Sequence, residues 1–421
     1  MTIMPCLYLL IIIIVLDKTN GIQKAFYSSK TPYKLPLLTL NLPLPPAGFE
    51  SVCVQILARH GCRALEGRKY DKLTMTLWTQ AKQEEVLTEY GRKLGENLQE
   101  FIAINDKLGD SSNRIQVVTS GKSRTIASLN TFIEGLPSTL TSLIDYEPAN
   151  QILLYFHDNN KYETYYRKDR QLKNKIRSIE MQLYSKQMAR NLLERLYNVS
   201  FVDRLANRYN TIIDSELGKS IKNEVDAVRM FHGLYLTGSN LRVEGVESLL
   251  EKYFLSDESA WFAYLQDAKD YYEKGPAFLN RTITYDMAQI LLDDFFLHST
   301  QCSQIDLKYF LRAHFAHGET IIPFAALLQI PILSDKSTPF NDTYTYNNNR
   351  WRGELVSPMA ANIQWEIYQH YNYGKHQQIL IRMLYNEYPI PFKSECKQYN
   401  RINNFFYTID ELKRCCNIID D

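Results

Sequence analysis

The chain predicts an α/β protein interrupted by a helical insertion, and three observations carry that expectation. Short β-branched or apolar runs, Cys53–Ala58, Ile115–Ser120 and Tyr309–Phe315, each stop at a polar cluster, and the last two lead directly into helical spacing. From about residue 137 to 295 the pattern turns helical with few β-rich runs, and sheet character returns only near residue 309. At 421 residues the chain exceeds one ordinary core, so one large domain carrying an insertion, or two domains, is expected.

Composition narrows the class. Hydrophobic content of 45% with 23% charged residues describes a globular chain and excludes disorder. A net charge of +1 excludes a global basic field, so no nucleic-acid partner is expected and any anion site must be local. Residues 1–21 read as a signal peptide. The apolar run Cys6–Leu16 has eleven residues followed by polar Asp17 to Gly21, short of the ~20 that a membrane span needs. Export into the secretory lumen or beyond is therefore expected, with no stable membrane insertion unless that segment is retained. Six further cysteines, Cys53, Cys62, Cys302, Cys396, Cys415 and Cys416, suit an oxidising compartment, and a bridge from Cys396 to Cys415 or Cys416 would pin the terminus. Sequons at Asn198, Asn280 and Asn341 agree with export. No cysteine or histidine spacing matches a zinc site, so no metal is expected.

In chain order, a Pro-rich lead-in (22–50) precedes the strand that ends at Arg59-His60-Gly61-Cys62-Arg63. An imidazole between two guanidiniums, with a glycine permitting close approach, suits a nucleophile in a phosphate site, because planar, permanently charged arginine forks bind phosphoryl oxygens in pairs. Standing alone, the triplet reads more readily as a solvated strand end. Arg68, Lys69 and Lys72 add positive charge that is either phosphate contact or wet loop. A helix is expected from Thr88, with Leu94, Leu98, Phe101 and Ile102 on one face. The strand Ile115–Ser120 runs through Gly121-Lys122-Ser123-Arg124 into a helix closed by Gly135. Since ligands gather at the carboxyl edge of α/β sheets, Arg124 and His60 could converge. In the insertion, residues 161–195 carry ten Lys/Arg against four Asp/Glu, net +6, on either a solvated face or a roof over an anion. Helices are expected at 201–214, 218–236, 244–254 and 259–274. The third strand ends at His317-Gly318-Glu319-Thr320 before a helix from Ile321 to Ile330, and a last strand spans Gln378–Leu384. A carboxyl beside phosphate oxyanions is raised toward neutrality, the condition for a general acid, although a helix-start Glu and a core His would look the same in sequence.

Together the clusters resemble the histidine phosphatases of the branch containing acid phosphatases and phytases. The matching segments are Arg59-His60-Gly61-x-Arg63, Ser120 to Arg124 running on through Ser128 and Phe132 to Gly135-Leu136, and His317. His317-Gly318-Glu319-Thr320 is most similar to the His-Ala-Glu-Thr of multiple inositol polyphosphate phosphatases. Support comes from Tyr264-Leu265-Gln266-Asp267, Tyr271-Tyr272-x-x-Gly275, Asn362-Ile363 and Leu384-x-Asn386-Glu387. Departures are Ala64-Leu65 where the family has a proline, Gly318 for alanine, and no cysteine around Phe156 to Tyr162. The resemblance implies a mixed central sheet flanked by helices with an inserted all-helical cap, divided into 1–21 signal, 22–136 core, 137–298 cap and 299–421 core. It implies that His60 becomes phosphorylated, that Arg59, Arg63, Arg124 and His317 hold phosphoryl oxygens, and that Glu319 is the acid. Lys122, Arg68 and Lys69 are candidates for further substrate phosphates, the substrate is a small inositol polyphosphate, and no cofactor is implied. The alternatives are a broad-specificity acid phosphatase and, from another class, an inactive glycosylated binding protein.

Overall fold

The computed structural model describes residues 27–33, 42–61, 114–136, 138–158, 160–207, 212–214, 219–239, 253–302, 309–331, 333–334, 336–370, 378–401 and 405–418. The expected signal segment, Cys62, Arg63, Arg68, Lys69, the helix from Thr88 and residues 244–252 of the helix expected at 244–254 lie outside them.

Ten strands are defined: β1 (Phe49–Arg59), β2 (Arg114–Thr119), β3 (Ile144–Tyr146), β4 (Ile212–Asp214), β5 (Lys219–Ile221), β6 (Tyr309–Ala316), β7 (Asn362–His370), β8 (Ile379–Tyr385), β9 (Tyr388–Ile390) and β10 (Phe406–Thr408). The main sheet runs β10-β8-β7-β1-β6-β2-β3, with β9 hydrogen-bonded to β8. β1 is its hinge of direction: parallel to β6 on one side, antiparallel to β7 on the other. β6, β2 and β3 continue the parallel half. The sheet is mixed, as expected.

The main helices are α1 (Ser123–Glu134), α2 (Asn160–Lys168), α3 (Arg170–Glu180), α4 (Leu183–Leu196), α5 (Val199–Ala206), α6 (Glu224–Gly238), α7 (Ser256–Lys274), α8 (Gln289–Gln301), α9 (Gly318–Leu327) and α10 (Ile409–Cys416). The alternation of β1 shows why it is buried on both faces. Val54, Ile56 and Ala58 pack with Leu129 and Phe132 of α1, while Cys53 and Leu57 join the larger core on the opposite face. There Gln55 donates to the Phe295 carbonyl and to Ser299 Oγ of α8, each at 2.8 Å, and Cys53 is bridged to Cys302 just beyond that helix. The terminal bridge joins Cys396 to Cys415, leaving Cys416 as a thiol. All three sequon asparagines are exposed, and no helix among the described residues is long and apolar enough to cross a membrane.

Two expectations need correction. The insertion is not all-helical: the segment expected as helix 201–214 ends its helix at Ala206 and returns as β4, which pairs with β5 at the start of the expected 218–236 helix. β-branched Ile212, Ile213 and Ile221 favour that ribbon. Within 137–298, β3 joins the main sheet and α8 packs beneath it, so the insertion contributes to the core as well as covering it. β7 had no counterpart in the sequence reading, because Gln364 and Glu366 break its apolar pattern. The Glu366 charge is settled across the sheet, where Arg382 Nε of β8 donates to it at 2.6 Å.

Beneath β6, Asp294 of α8 accepts from Arg312 Nη2 at 3.3 Å and lies 3.2 Å from His314 Nε2 and 3.3 Å from His298 Nε2. Burial alone would raise this carboxyl. Hydrogen bonds from His298 and His314 and the charge of Arg312 outweigh it and hold Asp294 far below its ordinary 3.8. A carboxyl depressed in the fold stabilises it above the unfolded pKa and loses that contribution as pH falls through the folded value. Asp294→Asn is therefore expected to lower the urea midpoint near pH 7 and to flatten its decline between about pH 5 and pH 2. A variant whose decline matches the parent's would refute this.

Candidate active site

Three parallel strands deliver their ends to one edge. Arg59 is paired with Ala316, and Thr119 with Phe315, so the residues that follow β1, β6 and β2 emerge side by side. The backbone makes the junction explicit: His60 N donates to the Ala316 carbonyl at 2.9 Å, and Ser120 N to the Phe315 carbonyl at 3.3 Å. Gly121 then turns with φ of +79°, where a Cβ would stand 2.9 Å from the Ala149 Cβ, and α1 begins with Arg124 in its first turn. His317 caps α9, and Glu319 sits in that helix's first turn.

The hydrogen bonds assign protons. His60 Nδ1 lies 2.9 Å from the Gly61 carbonyl, which can only accept, so Nδ1 carries the hydrogen and the lone pair is on Nε2. Gly61 N donates to Ser128 Oγ, which donates to the Arg124 carbonyl, both at 2.9 Å. His317 Nδ1 accepts from Arg124 Nε at 3.0 Å, so its Nε2 donates to Ser120 Oγ at 2.7 Å. Ser120 continues to Thr125 Oγ1 at 3.1 Å, and Thr125 donates to the Lys122 carbonyl at 2.8 Å. Burial first, and the Arg124 guanidinium second, push His317 down to about 2, so it is neutral. The His60 and His317 rings meet edge to face, 5.5 Å apart.

Arg59 is anchored from behind. Its Nη1 donates to the carbonyls of Ser29 and Ser357. The Ser28–Ser29 turn is held by buried Asp267 of α7, which accepts from Ser28 Oγ, from Tyr346 OH at 2.7 Å and from Gly353 N at 3.1 Å. Burial pushes Asp267 up to about 7 against those three hydrogen bonds. Gly318 belongs to the same arrangement: a Cβ there would stand 3.2 Å from Arg59 Cζ.

Without a phosphate beside it, Glu319 is held low. Burial would raise it, but Lys274, then His157, Lys30 and Arg59, outweigh burial and hold it well below the carboxylate range. Lys274 Nζ lies 3.6 Å from Glu319 Oε1, and the Glu319 side chain keeps 38% of its surface exposed. Any upward push must come from the substrate's own phosphates. Lys122 is placed nearby, with Nζ 4.7 Å from the Tyr155 ring centre, and Tyr155 packs on His317 at 4.8 Å. Five of the nine expected residues, Arg59, His60, Arg124, His317 and Glu319, thus converge, with Lys122 at the margin; Arg63, Arg68 and Lys69 fall outside the described residues. The sequence reading missed Lys30, Tyr155, His157 and Lys274. Only Lys274 had a signal, as the residue before the glycine of Tyr271-Tyr272-x-x-Gly275.

Residues 68–386 match the profile of the histidine phosphatase superfamily, branch 2. The chain belongs to this superfamily. It is a histidine-type phosphatase, and solved structures agree with its fold. The multiple inositol polyphosphate phosphatase of Bifidobacterium longum, in complex with inositol hexasulfate, superposes with a TM-score of 0.83 at 26% identity, covering 93% of this chain and 97% of that one. Its phosphate complex gives 0.81 at 25%, covering 94% and 98%. The phytase of D. castellii shares the fold, with a TM-score of 0.62 at 15% identity over 94% and 83% of the two chains. No curated protein sequence matches the chain.

In this phosphatase Ser120 fixes the tautomer that lets His317 accept from Arg124. Ser120→Ala removes the link to Thr125 and the neutral hydrogen bond to His317; the latter, worth about 1 kcal/mol, is equivalent to a five- to tenfold loss in kcat/KM. Steady-state kinetics with an aryl phosphate at unchanged melting temperature measure it; kcat/KM equal to the parent's would contradict the assignment.

Proposed function

We propose that the protein is a phosphomonoesterase that hydrolyses inositol polyphosphates through a phosphohistidine at His60. The observation that carries this reading is the meeting, at one sheet edge, of an imidazole with its lone pair on Nε2, two buried arginines and a carboxyl at a helix start. Similarity to an enzyme crystallised with inositol hexasulfate supports the substrate class.

His60 Nε2 attacks phosphorus in line, forming the N–P bond as the ester P–O bond breaks. Arg59 and Arg124, with Arg63 of the same sequence motif, stabilise charge on the equatorial oxygens. His317 is neutral and spends both nitrogens on Arg124 and Ser120, so its part is to aim Arg124; contact with a phosphoryl oxygen would require exchanging one of those bonds. Glu319, its carboxyl raised by the arriving phosphate dianion, gives its proton to the leaving alkoxide. Water then attacks phosphorus with Glu319 as base, the N–P bond breaks, and inorganic phosphate leaves. Lys122, with Arg68 and Lys69, meets further phosphates of the ring. Export is part of the proposal and is supported by the two disulfides.

Purified protein is expected to release phosphate from phytate at mildly acidic pH in the presence of a chelator, and His60→Ala to abolish release. Equal turnover by the variant would sink the phosphohistidine route. Release from an aryl phosphate but never from phytate would instead identify a broad-specificity acid phosphatase.

A further inference from the structure

The end of α7 carries a group that the proposed reaction does not yet use. Lys274 is the last residue of that helix, which stops where Gly275 N donates to the carbonyls of Asp270 and Tyr271 at 3.1 and 3.0 Å. Gly275 is required there, since a Cβ would lie 2.9 Å from the Tyr271 carbonyl. One helical turn back, Asp270 accepts from Lys274 Nζ at 3.1 Å and, through its other oxygen, from Gln266 Nε2 at 3.0 Å. Lys274 and Asp270 keep 15% and 5% of their side-chain surface. The same ammonium reaches across to Glu319 Oε1.

We infer that Lys274 is a positioning residue: shared between Asp270 and Glu319, its ammonium aims the Glu319 carboxyl at the leaving oxygen and sets the pH range over which that carboxyl can act. This rests on the role given to Glu319 above. Asp270 and Glu319 share this one ammonium, which Glu273 and Tyr162 also face. Protonating Glu319 leaves Lys274 still paired with Asp270, so the proton comes and goes without stranding a buried charge. A lysine paired with Glu319 only would be neutralised in the ionised state and stranded in the protonated one. The other groups facing Glu319 are His157, Lys30 and Arg59, with Tyr155 and Tyr166 from the insertion and His317 from the adjoining turn. Lys274 outweighs the other cations in lowering the carboxyl, and it is tied to a second carboxylate one turn back on its own helix.

Two substitutions separate this role from a structural one, because they act in opposite directions. In Lys274→Met the carboxyl loses its largest lowering influence, so the alkaline limb of kcat/KM for glycerol phosphate moves to higher pH. In Asp270→Asn the ammonium belongs wholly to Glu319, and the limb moves to lower pH. Orientation is read by leaving group: glycerol phosphate needs a proton donor, and p-nitrophenyl phosphate does not. Against the parent enzyme, Lys274→Met is expected to lower the ratio of kcat/KM for glycerol phosphate to that for p-nitrophenyl phosphate about tenfold, the low end of what general acids supply. Lys274→Arg should restore it to within about threefold. Limbs that move together or stay put, or an unchanged ratio, overturn the inference. Should Lys274→Met fail to fold, Asp270→Asn alone decides by the sign of its shift. Neither substrate is an inositol phosphate, so a parent inactive on phytate would count against the substrate reading alone.

Discussion

When Arg59 is paired with Ala316, and Thr119 with Phe315, the chain has little choice about where His60, Ser120 and His317 go. Parallel pairing makes all three strands leave the sheet at the same edge, and an in-register edge puts their next residues within a few ångströms. The remainder of the site is support for that edge. Asp267 steadies the Ser28–Ser29 turn, that turn receives Arg59, and the Ser120–Thr125 hydroxyls fix the ring that receives Arg124. A slip of one residue between β1 and β6 would send every side chain of β1 to the opposite face and move His60 off the edge.

Charge is handled differently on the two sides of His60. Toward α1, Arg124 donates to neutral His317, so positive charge there is held by the guanidinium and not by the imidazole it meets. Toward α7, cations crowd a single carboxylate. In the proposed reaction a phosphate dianion entering between them meets a guanidinium on one side and raises the Glu319 carboxyl on the other. Binding and proton uptake are coupled by electrostatics alone.

The strand ends were legible in the sequence because their signal is local. A β-branched run followed by glycine and a charged cluster can be read without knowing any partner, and three such ends in order resembled one family. His314 and His317 mark the limit of that approach. Both lie at the end of one apolar run, yet His314 is buried against Asp294 and the Ile56 carbonyl, while His317 holds Arg124. Their roles differ through partners distant in sequence. β7 escaped for the same reason, since Glu366 is tolerable only once Arg382 is opposite. Asp267 and the Tyr271-Tyr272 pair were matched as motifs without a reason. The structure supplies it: Asp267 backs the Arg59 anchor, and the Tyr271 and Tyr272 hydroxyls bind the loop that carries Tyr344 and Asn349.

The bridge between Cys53 and Cys302 spans 249 residues and ties the strand that ends at His60 to the helix beneath it. During synthesis His60 appears early, whereas His317 and Glu319 follow only after Cys302. Both halves of the covalent link across the sheet are therefore made before the last of the converging side chains.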